Sequence, residues 1–149
     1  MRLRLLAVGK APRWVEEGFA QYAQRLPADC SLQLTVVSPR RGQSDEDRLL
    51  AEVRPGETAV VFDRRGRTVS SEDMAELLAA WRQSGRNVAL LVGGVAGFDE
   101  QARGQADHVL SLSAMTLPHL LTRVVVAEQV YRAWSILRGH PYHLAQAGS

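Results

Sequence analysis

The sequence has very little cysteine and no long apolar run. Cys30 is the only cysteine among 149 residues, so an internal disulfide and a cysteine-based metal site are both excluded. No apolar segment reaches the ~18–20 residues that a helix needs to cross a bilayer. The first residues also lack the apolar region and cleavage site of a signal peptide. We therefore expect a cytoplasmic protein with no membrane segment.

Lysine is almost absent too. Lys10 is the single lysine beside 17 arginines, and the formal net charge is only +2. Arginine pairs with phosphate through two hydrogen bonds and stacks on bases. A small net charge is weak evidence for nucleic acid, because clustering matters more than the total. Two polar segments do carry clusters, namely Arg40 and Arg41 in the first and Arg64, Arg65 and Arg67 in the second.

Several common catalytic motifs are missing. The chain contains no G-x-x-x-x-G-K-[ST] phosphate loop and no G-x-S-x-G nucleophile elbow, and its glycines do not follow the G-x-G-x-x-G dinucleotide spacing. His140 and His143 are three residues apart, but Pro141 prevents a regular helix between them and no acidic cluster lies nearby. We expect no metal site.

Apolar segments with strand character alternate with segments of helical spacing along the whole chain. This alternation predicts one α/β domain over residues 1–149, with a mostly parallel sheet and helices on both faces. The predicted strands are 3–8, 32–37, 58–62, 87–92 and 108–112; the predicted helices are 14–26, 44–53, 70–83, 98–105 and 118–138. Residues 63–68 are predicted to form a loop, and residues 144–149 a frayed tail.

The last helix has apolar residues on two opposite faces. Pro118 suits its first turn, and Gly139 with Pro141 supplies its end. One set is Val126, Val130, Trp134 and Leu137; the opposite set is Leu121, Val125 and Ile136. One face can enter the core of the chain, and a partner subunit would cover the other. The alternative is a central helix buried on both sides within a monomer.

Two further segments have chemical potential. Glycines at positions 93, 94 and 97 follow a buried strand and would let a ligand approach the backbone closely, although such a turn is often only structural. The segment His140-Pro141-Tyr142-His143 offers two imidazoles and a phenol, which suit acid–base chemistry near neutral pH. Its alternative interpretation is a helix end followed by disorder.

Three blocks of sequence together resemble the SPOUT class of S-adenosylmethionine-dependent RNA methyltransferases, RlmH type. The first block is Val61-Phe62-Asp63 with Gly66 and Ser70-Ser71, and the second is Leu90-Leu91-Val92-Gly93-Gly94 with Gly97. The third runs from Leu112 to His119 and continues through Arg123-Val124, Ala127-Glu128-Gln129 and Tyr131 to Ser135, ending with His140 to His143. The resemblance covers residues 1–143 and is most specific in the third block.

The resemblance implies a C-terminal deep trefoil knot and a homodimer with the last helix in its interface. It implies methyl transfer from S-adenosylmethionine to N3 of a pseudouridine in 23S ribosomal RNA, on the assembled ribosome. The implied cofactor residues are Phe62, Gly93, Gly94, Gly97, Leu112, Ser113, Ala114, Met115, Thr116 and Leu117. The implied catalytic residues are Tyr142 and His143.

RNA phosphate contacts are expected at Arg40, Arg41, Arg64, Arg65, Arg67, Arg123 and Arg132. The alternatives are a non-catalytic RNA-binding or ribosome-associated module on the same fold, and an α/β enzyme that acts on a small nucleotide. The Tyr142-His143 segment favours the enzyme over the binding module, because a binding module has no need of it.

Overall fold

The computed structural model describes residues 1–145. Its strands are β1 (Arg2–Val8), β2 (Ser31–Val37), β3 (Thr58–Thr68), β4 (Val88–Val92) and β5 (His108–Ser111). Its helices are α1 (Arg13–Ala23), α2 (Asp45–Ala51), α3 (Ser71–Ser84), α4 (Glu100–Gly104), α5 (His119–Arg138) and α6 (Tyr142–Ala145), with a short 3-10 turn at Ala28–Cys30. The predicted alternation of strands and helices is confirmed.

The five strands form one parallel sheet in the order β2-β1-β4-β3-β5. Because all strands point the same way, their carboxyl ends share one edge of the sheet. Loops that follow β3, β4 and β5 therefore meet, since these strands are neighbours. Ligand sites of open α/β sheets lie at this edge.

Helices cover both faces of the sheet, as predicted. Alternate residues along each strand point to opposite faces. Leu90 packs among α1, α3 and α5, whereas Leu91 packs among α2 and α4. The strands consequently read as continuous apolar runs, as expected for a parallel sheet that is buried on both sides.

Serine side chains cap the N-termini of α2 and α3. Ser44 caps α2 by accepting a hydrogen bond from the Asp47 backbone N–H. Ser70 and Asp73 form a reciprocal capping box at the start of α3, with aspartate in place of the more common glutamate. These local bonds fix where both helices begin.

β3 departs from the prediction, because it continues through the segment expected to be a loop. Phe62 and Arg67 both pair with Leu110 of β5, so the four residues between them form an excursion from the ladder. Gly66 closes the excursion against β5. A Cβ there would lie 2.6 Å from the backbone carbon and oxygen of Val109. Glycine spacing alone did not reveal this close approach.

α5 packs against α1 and α3. Val126 and Val130 are buried in the core, so the first apolar set cannot form a subunit interface as a whole. Of the opposite set, Leu121 is 38% exposed and Val125 is half-buried, so both remain available, whereas Ile136 packs against the core. Gly139 ends the helix with φ +66°, a left-handed conformation that favours glycine.

At the start of α1, Trp14 is 53% exposed, and Val15 takes the buried position beside Phe19. One smaller prediction is wrong. Leu144 was assigned to a frayed tail, but it belongs to α6. The rest of that predicted tail, residues 146–149, lies outside the described residues.

Within residues 1–145, no helix is both long and apolar enough to span a bilayer. The same residues contain no cluster of three or more histidine, cysteine, aspartate or glutamate side chains arranged as a metal site.

We expect Gly66→Ala to destabilise the protein by about 1–3 kcal/mol, because the new methyl group would meet immovable backbone. Gly104→Ala is the matched control, since a Cβ at position 104 meets nothing within 4 Å. Urea denaturation monitored by circular dichroism measures the difference. Equal midpoints for Gly66→Ala and the wild type would contradict the close approach of β3 to β5.

Candidate active site

A cavity of about 420 Å³ opens at the carboxyl edge of β3, β4 and β5. Three loops and the first turn of α5 form its wall. The lining residues are Phe62, Asp63, Arg64, Arg65, Val92, Gly93, Gly94, Val95, Ala96, Gly97, Ser111, Leu112, Ser113, Met115, Thr116, Leu117, Pro118, His119 and Thr122. Its size falls within the ~300–1,000 Å³ of small-molecule sites. It is a mostly apolar slot with backbone polar groups on several sides.

The glycines of the β4 loop serve different purposes. A Cβ at Gly93 would lie 2.8 Å from the Phe98 ring, and one at Gly97 would lie 2.8 Å from an Asp63 carboxylate oxygen. Gly97 also has φ +72°, so a side chain there would be strained as well as crowded. Gly94 differs, because its Cβ would sit at ordinary contact distance. Gly93 and Gly97 are therefore needed by the fold, whereas Gly94 lines the cavity and would accept a Cβ beside Asp45 and Glu46 without a clash.

The Asp63 carboxylate joins the β3 excursion to the β4 loop. Its oxygens accept hydrogen bonds from the Phe98 backbone N–H at 2.8 Å, the Arg65 backbone N–H at 2.9 Å and the Arg65 guanidinium at 2.9 and 3.1 Å. Burial raises the pKa of this carboxyl, but the Arg65 guanidinium and the two backbone donors outweigh it and lower the pKa to about 2. Asp63 is thus a fixed negative charge in the cavity wall.

Arg65 is held on both sides. Besides its ion pair with Asp63, its guanidinium donates to the Phe98 carbonyl, which also accepts from Arg103. Only the exposed part of the Arg65 guanidinium is therefore left for the predicted RNA contact. Arg64, next to it, is exposed at the cavity mouth.

A second carboxylate approaches the β4 loop from the other sheet face. Glu46, in the first turn of α2, is 8% exposed and accepts a hydrogen bond from the Gly94 backbone N–H at 3.1 Å. The sequence suggested only a helix N-terminus here, where acidic residues are common. No pattern in the sequence signals that Glu46 faces the glycine loop.

α5 supplies the remaining wall through His119 and Thr122, neither of which was among the predicted cofactor residues. Arg123, one residue further, turns away from the cavity. It is 2% exposed, and its guanidinium donates to the carbonyls of Val8 and Gly9 at 3.0 and 3.1 Å. Burial lowers the pKa of this guanidinium. The prediction of an RNA contact at Arg123 is not supported, because the side chain anchors α5 to the end of β1.

The C-terminal segment docks on α5 of its own chain. The Tyr142 hydroxyl donates to Glu128 at 2.7 Å, and the Arg132 guanidinium lies over the Tyr142 ring at 5.2 Å while pairing with Glu128. Burial and the Glu128 carboxylate raise the pKa of Tyr142. Tyr142 is therefore a neutral phenol and a poor base, and Arg132 is already engaged with a carboxylate and a ring.

His143 is fixed in the same region. Its Nδ1 lies 2.9 Å from the Ser135 hydroxyl. Ser135 is 13 residues beyond Thr122, which corresponds to ~20 Å along the helix at 1.5 Å per residue. Neither Tyr142 nor His143 lines the cavity of its own chain among the residues described.

Of the ten predicted cofactor residues, the structure brings nine together around the cavity; Ala114 lies in the same loop but not in the wall. The two predicted catalytic residues lie elsewhere. Asp63, Glu46, His119 and Thr122 were missed as site residues. Asp63 could have been found, because a carboxylate directly after a buried strand falls at the ligand-binding edge.

The fold and cavity define an α/β protein with a small-molecule site at the carboxyl edge of a parallel sheet. A family model described as "Predicted SPOUT methyltransferase" matches residues 1–143. The chain belongs to the SPOUT methyltransferase family, and the resemblance in the sequence is confirmed.

Individual relatives agree. The "Ribosomal RNA large subunit methyltransferase H" of Thioalkalivibrio sulfidiphilus is 47% identical over 96% of this chain and 99% of its own length. The protein of the same name from Pseudomonas paraeruginosa is 46% identical with the same coverage. A structure of a probable methylase family protein from Haemophilus influenzae matches with TM-score 0.57 at 15% identity, over 95% of this chain and 69% of its own. The last likeness concerns the fold.

We expect the Asp63 carboxylate to stabilise the fold except in strong acid. Its folded pKa is lowered to about 2, so its contribution is fully present above the unfolded value of ~3.9 and is lost as the pH falls toward ~2. Asp63→Asn should therefore have a lower free energy of unfolding than the wild type at neutral pH. This stability gap should close as the pH falls through the range between the unfolded and folded pKa values of Asp63. Denaturant unfolding at several pH values measures the gap, with exposed Asp29→Asn as the control. A pH-independent gap would contradict the assigned charge.

Proposed function

We propose that this chain transfers a methyl group from S-adenosylmethionine to N3 of a pseudouridine in 23S ribosomal RNA. The observation that carries the proposal is near-full-length identity of 46–47% to relatives named ribosomal RNA large subunit methyltransferase H. Membership of the SPOUT methyltransferase family agrees with it.

The cavity suits the methyl donor. Its apolar walls fit an adenine ring, and the Leu112–Leu117 loop offers backbone groups. Gly94 lines the cavity without a side chain, so a ligand can approach its backbone closely. Asp63 and Glu46 place negative charge behind this wall. When bound, S-adenosylmethionine supplies an electrophilic methyl carbon on a positively charged sulfur.

RNA would approach from the same edge of the sheet. Because every strand is parallel, the segment after β2 emerges at the same edge of the sheet as the cavity, and residues of the β3 excursion line the cavity. Arg40 and Arg41 on the former, and Arg64 and Arg67 on the latter, are exposed. Phosphate contacts from these arginines would hold an RNA strand across the cavity mouth without a separate binding domain. So few contacts favour an assembled ribosomal surface over free RNA.

The reaction needs a group that removes or polarises the N3 proton of the target base. Tyr142 is held as a neutral phenol, so its role is a hydrogen bond or ring contact to the base. His143 is the proton acceptor. Since the tail packs near Ser135, far from the cavity of its own chain, His143 serves the cavity of a second subunit.

A homodimer through α5 provides that arrangement. At 100° per residue, Leu121, Val125, Glu128, Arg132 and Ile136 lie in one stripe. Leu121 is 38% exposed and Val125 is half-buried. In a two-fold contact the stripes of both subunits face each other. If the two helices run in opposite directions, each tail reaches the His119 end of its partner, where the cavity opens. We also propose that the C-terminal part of the chain forms the deep trefoil knot of the family.

We expect S-adenosylhomocysteine to raise the melting temperature of the wild type by mass action and not that of Gly94→Val. The valine fits the apo fold, since a Cβ at position 94 meets only side-chain atoms at 3.7 and 3.8 Å, but it fills space needed by the ligand. Gly93 is a poorer test, because even alanine would crowd Phe98. Gly104→Val is the control for added bulk. An undiminished shift in folded Gly94→Val would remove this cavity as the donor site.

We expect purified wild-type protein to methylate 23S RNA in ribosomes that lack the modification, and His143→Ala and Gly94→Val to be inactive separately. Co-expression of these two variants should restore activity, because each heterodimer has one intact cavity facing one intact tail. Tritium transfer from labelled S-adenosylmethionine measures the rate, and a tag on each variant allows the heterodimer to be isolated.

The controls separate the possible failures. An inactive heterodimer beside an active wild type would place the tail in the cavity of its own chain. An inactive wild type on undermodified ribosomes, with donor binding intact, would contradict the RNA substrate. Wild-type monomers in light scattering at micromolar concentration would contradict the dimer.

A further inference from the structure

We propose that Ser135 is a positioning residue that fixes the tautomer of His143. The neutral ring then carries its hydrogen on Nδ1 and presents the lone pair of Nε2. The inference deepens the proposed function and rests on it only for the identity of the proton that Nε2 accepts. The tautomer itself follows from hydrogen bonds within the chain.

Ser135 has three polar neighbours and one hydroxyl hydrogen. Its Oγ lies 2.9 Å from the His140 carbonyl oxygen, 2.9 Å from Nδ1 of His143 and 3.3 Å from the His143 backbone nitrogen. Ser135 is fully buried, so solvent does not share these contacts. A hydroxyl donates once and accepts twice, which matches the number of neighbours.

The roles are determined by which neighbours have a hydrogen to give. The His140 carbonyl has none, so the Ser135 hydrogen must point to it; otherwise two oxygens would face each other at 2.9 Å unbridged. The His143 backbone N–H can only donate. Oγ is therefore an acceptor for the remaining neighbour, and Nδ1 of His143 must carry a hydrogen. A neutral ring with hydrogen on Nδ1 has its lone pair on Nε2.

His140 provides an internal comparison in the same tail. Its Nδ1 accepts the Tyr142 backbone N–H at 3.1 Å, so this nitrogen carries no hydrogen and the neutral ring holds it on Nε2. Two histidines three residues apart are therefore held in opposite tautomers. Of these two rings, only that of His143 presents Nε2 as an acceptor.

The consequence for the reaction is a pre-oriented base. As N3 of the target forms its bond to the methyl carbon, the carbon–sulfur bond breaks and its electron pair stays on sulfur. The N3 proton passes to Nε2 of His143. The resulting imidazolium keeps its Nδ1–H bond to Ser135, so no hydrogen bond needs to be exchanged during transfer.

Long-range proton–nitrogen NMR on the full-length chain tests the assignment at about pH 8, above the ordinary histidine pKa. We expect the Nδ1–H pattern for His143 and the Nε2–H pattern for His140, with His140→Gln to assign the signals. An Nε2–H pattern for His143 overturns the proposal, and this readout requires neither RNA nor activity.

Ser135→Ala tests the consequence. We expect its His143 to move toward the Nε2–H tautomer and its methyl-transfer rate to fall on the order of 10–100-fold, the usual cost of losing an orienting partner, with donor affinity unchanged. Ser84→Ala is the matched control, because Ser84 also donates to a backbone carbonyl, that of Trp81, in α3. It should retain the wild-type rate.

Full activity in a Ser135→Ala protein whose tautomer has changed overturns the positioning role. If Ser135→Ala does not fold, the wild-type spectrum still decides the tautomer. An Nδ1–H signal in a chain without methyl-transfer activity would leave the tautomer standing and reject the proposed function.

Discussion

The cavity depends on one buried carboxylate. Asp63 receives hydrogen bonds from the Phe98 backbone and from Arg65, so it ties the loop after β4 to the excursion in β3. The Arg65 guanidinium, which also donates to the Phe98 carbonyl, completes this link between the two loops. The lowered pKa keeps this charge present across the physiological range. The cost of burying it is offset by four donors, which also fix the positions of the loops around it.

The sequence predicted the elements well where apolar period and end signals agreed. The parallel sheet and the Gly139 stop both rest on such local signals. It failed where distant residues decide. The continuation of β3 depends on its pairing with β5, and Glu46 faces the glycine loop only because α2 packs beside it. Apolar periodicity carries no information on either contact, because both join residues that are far apart in the sequence.

The candidate site was also only partly predictable from the sequence. The three loops that line the cavity were predicted from the resemblance to the family, and the structure brings them together because they follow neighbouring parallel strands. The roles of individual charged residues were not predicted. Arg123 resembles a surface cation in sequence but is anchored to β1 carbonyls. Tyr142 resembles part of an acid–base pair in sequence, but its hydroxyl donates a hydrogen bond to Glu128 and stays protonated.

The excursion in β3 also limits how the chain can change in length. It leaves and rejoins the ladder at the same partner, Leu110, and Gly66 fixes its closure against β5. One residue inserted after Gly66, where pairing with β5 has resumed at Arg67 and Thr68, would reverse the faces of the residues that follow. It would move buried Val69 outward and displace the Ser70 cap. Changes in the length of β3 must therefore fall among the unpaired residues before Gly66, where no ladder pair is shifted.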